Sequence, residues 1–90
     1  MRAIKHTSAF KKDYKRIQKR GWSREKLSCL LGLLVTDASL PSHARPHKLV
    51  GRYANLWECH VEPDWLLIYE YGDDGALVLR RTGSHADLFK

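Results

Sequence analysis

Ninety residues carry 16 Lys and Arg against 10 Asp and Glu, a formal net charge of +6, with 43% hydrophobic and 10% aromatic residues. That apolar share excludes a disordered chain, and the length fits one domain, expected over 1–90, that buries about 65% of its surface on folding. No stretch approaches the roughly 20 apolar residues of a membrane span and the N-terminus lacks an apolar leader, so a cytoplasmic setting without membrane contact is expected.

The basic excess calls for a polyanionic partner, either nucleic acid or an acidic protein segment. Cys29 and Cys59 match no metal spacing and fall within apolar patterns, so both read as free, buried thiols.

Residues 2–6 are extended in character, and Thr7 or Ser8 can cap the helix that follows. Phe10, Tyr14 and Ile17 recur there at helical spacing. The rest of the segment is basic (Lys11, Lys12, Lys15, Arg16, Lys19 and Arg20), opposed only by Asp13, and Gly21 is placed to end it. Ser23 opens a second helix, whose Leu27, Leu30, Leu31, Leu34 and Val35 make one buried stripe. Residues 39–47 read as a loop. The periodicity then changes to two, which predicts strands over 48–54 and 56–61. In the second of these, Trp57, Cys59 and Val61 face opposite to Glu58 and His60. The apolar run 65–71 predicts a central strand, 72–75 a turn, and 76–81 the last strand of a hairpin. The tail is long enough for one helical turn. The fold class is α+β, with two N-terminal helices packed on one face of a small, twisted, mainly antiparallel sheet.

The parity of Trp57 and Cys59 assigns them to the helix side, which leaves His60 on the open side. Asp64 lies in the turn that follows, His85 lies just past the last strand, and His47 precedes the second strand. This set suits phosphodiester cleavage in RNA, which needs a base for the 2′-hydroxyl proton, an acid for the leaving 5′-oxygen, and a cation for the phosphorane. Imidazoles with pKa near 6.5 can serve as base and acid at neutral pH. An arginine fork, from Arg80 or Arg81, matches the phosphate oxygens. Trp65 and Phe89 are candidates to stack on a splayed base. Taken singly, each has an ordinary role: edge histidines are commonly solvated, Asp after Pro is a turn residue, and Trp65 and Phe89 suit a core. Zinc is a competing use of the four residues, but they lack the short paired spacing of typical sites, so no metal or other cofactor is expected.

Three segments, PHKLVG (46–51), WECHVEPDWLLIY (57–69) and LRRTGSHADLF (79–89), together resemble the YafQ branch of the RelE/ParE superfamily of bacterial type II toxins. The likeness extends over nearly the whole chain. It implies a RelE-like fold and a ribosome-dependent mRNA endoribonuclease that cleaves in the A site without a metal. Carried over residue by residue, it implies His47, His60, Asp64 and His85 as the catalytic set, Arg81 on the phosphate and Phe89 near the base. It also implies a cognate antitoxin that covers the active face with an acidic or amphipathic segment. Ribosomal RNA phosphates would meet Lys11, Lys12, Lys15, Arg16 and Lys19. The alternative is a non-catalytic module like the ParE relatives that act on gyrase. Strict alternation places Arg81 on the core face with Leu77 and Leu79, so three readings stay open: a bulge, an earlier strand end, or Arg80 as the phosphate contact.

Overall fold

The computed structural model describes residues 1–89. In chain order it contains β1 (Ile4–His6), α1 (Ser8–Lys19), α2 (Arg24–Val35), β2 (His47–Lys48), β3 (Trp57–Glu62), β4 (Trp65–Tyr71), β5 (Leu77–Gly83) and a single-turn helix α3 (His85–Leu88). Five strands form one sheet in the order β1-β5-β4-β3-β2. Only the β1–β5 pairing is parallel; the other three are antiparallel. The expected α+β class and mainly antiparallel sheet are both found.

Helix starts follow the sequence signals. Thr7 Oγ1 accepts the Phe10 N–H, and Ser23 Oγ accepts the Lys26 N–H, each satisfying a donor that the first turn leaves unpaired. Thr7 also ties α1 to the sheet: its N–H donates to Leu79 O and its hydroxyl to Arg80 O. One face of the sheet packs on both helices through Phe10, Ile17, Leu27, Leu30, Leu34 and Val35 against Cys59, Val61, Trp65, Leu67, Tyr69, Leu77 and Leu79. Burial pushes the Cys59 thiol up to about 12, so it stays protonated and packs as a small apolar group.

Three expectations are corrected. The strand expected over 48–54 is only His47–Lys48, and residues Gly51–Tyr53 form a 3-10 turn instead. Gly51 holds φ at +72°, in the left-handed region, and Leu49 N–H donates to Leu56 O, so the segment closes on itself. Leu49, Tyr53 and Leu56 thereby fold onto Leu66, Ile68 and Leu88. The face expected to be open is therefore partly roofed by this loop and α3. Cys29 is exposed, because the buried side of α2 runs through Leu27, Leu30 and Leu34 and leaves residue 29 outward.

Candidate active site

Register across the sheet places the site residues. His47 pairs with Glu58, Glu58 with Ile68, and Ile68 with Arg81, so these four share one row on the face away from the helices. The next row runs from His60 through Leu66 to Gly83. Arg81 reaches this face because β5 carries a bulge: Tyr69 pairs with Leu79 while Ile68 pairs with Arg81, and Arg80 is the extra residue. Of the three readings left open by alternation, the bulge is the one observed. Arg80 is exposed and ion-paired to Glu70 at 2.9 Å.

Beyond the bulge the chain turns sharply into α3. Gly83 has φ +152°, and a Cβ there would come within 2.8 Å of Asp87 Oδ2, so close approach as well as backbone angle demands glycine. Ser84 and Asp87 form a capping box, each side chain accepting from the other's backbone N–H. Arg20 grips Asp87 through two N–H groups at 2.6 and 2.9 Å, which docks α3 on α1. That fork, followed by the Ser84 contacts, holds the Asp87 carboxyl well below the usual carboxylate range.

His85 and Asp64 form the most defined pair in the site. Asp64 Oδ1 accepts the His85 backbone N–H at 2.9 Å and lies 2.6 Å from His85 Nδ1. The two hydrogen bonds from His85 lower the Asp64 carboxyl below its ordinary value, so it is ionised and purely an acceptor at neutral pH. His85 therefore carries its proton on Nδ1 and leaves Nε2 for reaction. The His60 ring lies 6.1 Å from that of His85. Among the described residues, His60 Nδ1 is buried and meets no hydrogen-bond partner.

His47 is held differently. Its Nδ1 lies 2.9 Å from Arg45 O and its Nε2 3.3 Å from Glu58 Oε1. With an acceptor facing each nitrogen, the ring is held in place beside the site. Phe89 is 42% exposed and packs edge-on against Tyr53, with the His85 ring 6.4 Å away. It offers an aromatic face next to the Asp64–His85 pair.

Trp65 does not belong to this surface. It is 2% exposed, sits among the helix-side core residues, packs on Trp22 and donates from Nε1 to Thr82 Oγ1 at 2.9 Å. Its position after the tight turn gives it the parity of Leu67 and Tyr69, so the expected base-stacking role is replaced by a core role. Lys11, Lys12, Lys15, Arg16 and Lys19 of α1 are all exposed, and three of them have defined surroundings. Lys11 and Lys15 line the groove between α1 and α2, while Arg16 turns toward Asp13 and Asp87.

Two further acids matter at the site and carry no motif of their own in the sequence. Glu58 is 6% exposed and faces His47; Asp13 is 2% exposed and faces Arg81. The signal for Asp13 was present, since it lies three residues after Phe10 and four before Ile17, on the apolar stripe of an otherwise basic helix. A carboxylate placed there must find a partner.

Comparison with known proteins gives this geometry a context. Residues 2–90 match the family described as "Bacterial toxin of type II toxin-antitoxin system, YafQ". The chain is 40% identical over 89 residues to the mRNA interferase toxin YafQ of Escherichia coli K12, covering 98% of this chain and 96% of that one. The E. coli DinJ–YafQ toxin–antitoxin complex contains a chain 40% identical, with a TM-score of 0.87 over 99% of this chain and 98% of that chain. A metal-bound toxin from Helicobacter pylori is 36% identical, with a TM-score of 0.91 over 99% and 100% of the two chains. Fold and sequence agree, and the chain belongs to the YafQ family of bacterial toxins of type II toxin–antitoxin systems.

Proposed function

We propose that the chain is an mRNA interferase, an endoribonuclease that cleaves messenger RNA in the ribosomal A site by attack of the ribose 2′-hydroxyl, without a metal, and so halts translation. The observation that carries the mechanism is the Asp64–His85 pair, with His60 at 6.1 Å and Arg81 turned to the same face by the bulge. Two imidazoles at that spacing can flank one phosphate. One takes the 2′-hydroxyl proton as the O2′–P bond forms; the other gives a proton to the departing 5′-oxygen. The products are a 2′,3′-cyclic phosphate and a 5′-hydroxyl. Arg81, with His47 beside it in the same row as a support to the phosphate, faces the charge that builds on the non-bridging oxygens. Phe89 supplies a surface for the base beside the cleaved bond. Lys11, Lys12, Lys15, Arg16 and Lys19 contact ribosomal RNA phosphates from the helix layer.

The toxin acts in the cytoplasm, where its substrate is, and is restrained by a cognate antitoxin whose acidic or amphipathic segment covers the active face. DinJ is the antitoxin in the E. coli complex. Among the described residues no helix is long and apolar enough to cross a membrane.

The test is growth after induced expression of wild type, His60→Ala and His85→Ala, with primer extension on a translated message. Arrest with new cleavage sites in wild type, and neither in the variants, supports the reading. Arrest that survives both substitutions with intact messages overturns it and moves the target toward gyrase, as for ParE. Cleavage that rises on addition of copper or zinc would overturn the metal-free step.

A further inference from the structure

We propose that Asp13 is a positioning residue for Arg81, and that it sets which guanidinium N–H groups meet the scissile phosphate. The inference rests on the reading of Arg81 as the phosphate ligand. Asp13 is 2% exposed on α1, 68 positions from the arginine it holds. Its Oδ2 accepts from Arg81 Nε at 2.6 Å and from the Thr82 backbone N–H at 3.1 Å; its Oδ1 accepts from Arg81 Nη2 at 3.2 Å. Arg16 Nη1 stands 3.6 Å from Oδ1.

These contacts do more than neutralise a buried charge. A carboxylate side-on to Nε and Nη2 takes two of the five N–H donors of a guanidinium, which leaves three, on Nη1 and the outer side of Nη2. The plane of the fork is then fixed by two parallel bonds. The Thr82 N–H bond anchors the same carboxylate to the strand just past the bulge, so the bulge chooses the face and Asp13 chooses the orientation upon it. An arginine left to solvent would sample many rotamers, whereas the Arg81 side chain is only 25% exposed. Holding it ready means that its ordering is complete before the phosphate arrives.

Asp13→Asn keeps the shape and removes the charge. Single-turnover cleavage of a ribosome-bound message is measured for wild type, Asp13→Asn, Arg81→Ala and the double variant, each shown folded by circular dichroism. Asp13→Asn is expected to lower the cleavage rate about tenfold with KM changed less than about twofold, and to have no further effect in the Arg81→Ala background. Losses that multiply in the double variant, or an Asp13→Asn rate equal to wild type, overturn the positioning role and leave a staple between α1 and β5. An Arg81→Ala rate equal to wild type sinks the phosphate reading itself, a separable failure.

A second readout needs no substitution. In the wild-type protein the Arg81 Nε–H should give a distinct, slowly exchanging NMR signal. A signal averaged with those of the exposed arginines overturns the inference even if Asp13→Asn does not fold.

Discussion

Asp64→Asn separates the charge of the Asp64–His85 pair from its geometry. Both hydrogen bonds from His85, backbone and ring, end on the same oxygen, Oδ1. An asparagine whose Oδ1 takes that place can accept both, so the His85 tautomer and the start of α3 are retained. What is lost is charge assistance, which makes such bonds roughly twice as strong as neutral ones. Cleavage should therefore slow only about tenfold, the factor expected when the imidazolium form of His85 loses its counter-ion but stays in place. Asp64→Ala removes the acceptor altogether, frees the ring and both tautomers, and should cost about 10²-fold or more, the usual worth of a placed acid or base. The assay is single-turnover cleavage of a programmed ribosome at neutral pH, with thermal melts to show that all three proteins are folded. Equal losses for Asn and Ala would refute the claim that placement outweighs charge. An Ala variant within twofold of wild type would remove the pair from the reaction.

Trp65→Phe should lower stability by about 2 kcal/mol, from the lost Nε1–H to Thr82 Oγ1 bond and the smaller ring, and the melting temperature by about 8–16 °C. Cleavage by the folded variant should stay within about twofold of wild type; a large loss of rate with an unchanged melt would return Trp65 to the RNA surface. For Asp87 the folded-state carboxyl is depressed, so its contribution is complete above the ordinary carboxyl value of about 4 and is lost as pH falls toward the native value. Asp87→Asn should thus melt below wild type at pH 7, and thermal melts repeated near pH 3 should show that gap narrowing. A gap that widens in acid contradicts the Arg20–Asp87 clamp. Replacing Lys12 and Lys19 with Ala should flatten the salt dependence of ribosome binding by about 0.7–0.9 in log–log slope per lost phosphate contact, with cleavage at saturation unchanged. A slope equal to wild type would assign those lysines to solvent.

Much of the frame is legible in the chain because local signals and burial agree. Thr7 and Ser23 cap the helices they precede, and 65–71 forms the central strand its apolar run requires. Alternation around Cys59 put His60 on the correct face, and His47, Asp64 and His85 all gather at that side of the sheet. Apart from Cys29, which simply lies off the buried stripe of α2, the misreadings share a cause: each depends on how the chain folds back over itself. Residues 48–54 have strand-like composition, yet Gly51 and the Leu49–Leu56 hydrogen bond turn them into a roof for Ile68 and Leu66. Trp65 looks like a platform until the turn before it fixes its parity. The partners of Arg81 and of His47 are invisible to any local pattern, because Asp13 and Glu58 meet them only through tertiary packing and strand pairing.

The bulge at Arg80 has a consequence for what the chain can tolerate. β5 serves two layers in succession: up to Leu79 its odd-numbered side chains fill the helix-side core, and from Arg81 onward they belong to the opposite face. A single additional residue performs that change of phase. A strand that instead paired Arg80 with Ile68, in unbroken alternation, would carry Arg81 into the apolar layer beside Leu67, with Thr82 exchanged outward. Such a shift would disturb core and site together, whereas deleting Arg80 would remove a surface side chain already occupied with Glu70 and leave Arg81 opposite Ile68. Phase at this position is under tighter constraint than length or identity: the strand can accept many residues at position 80, or none, provided that Arg81 stays opposite Ile68.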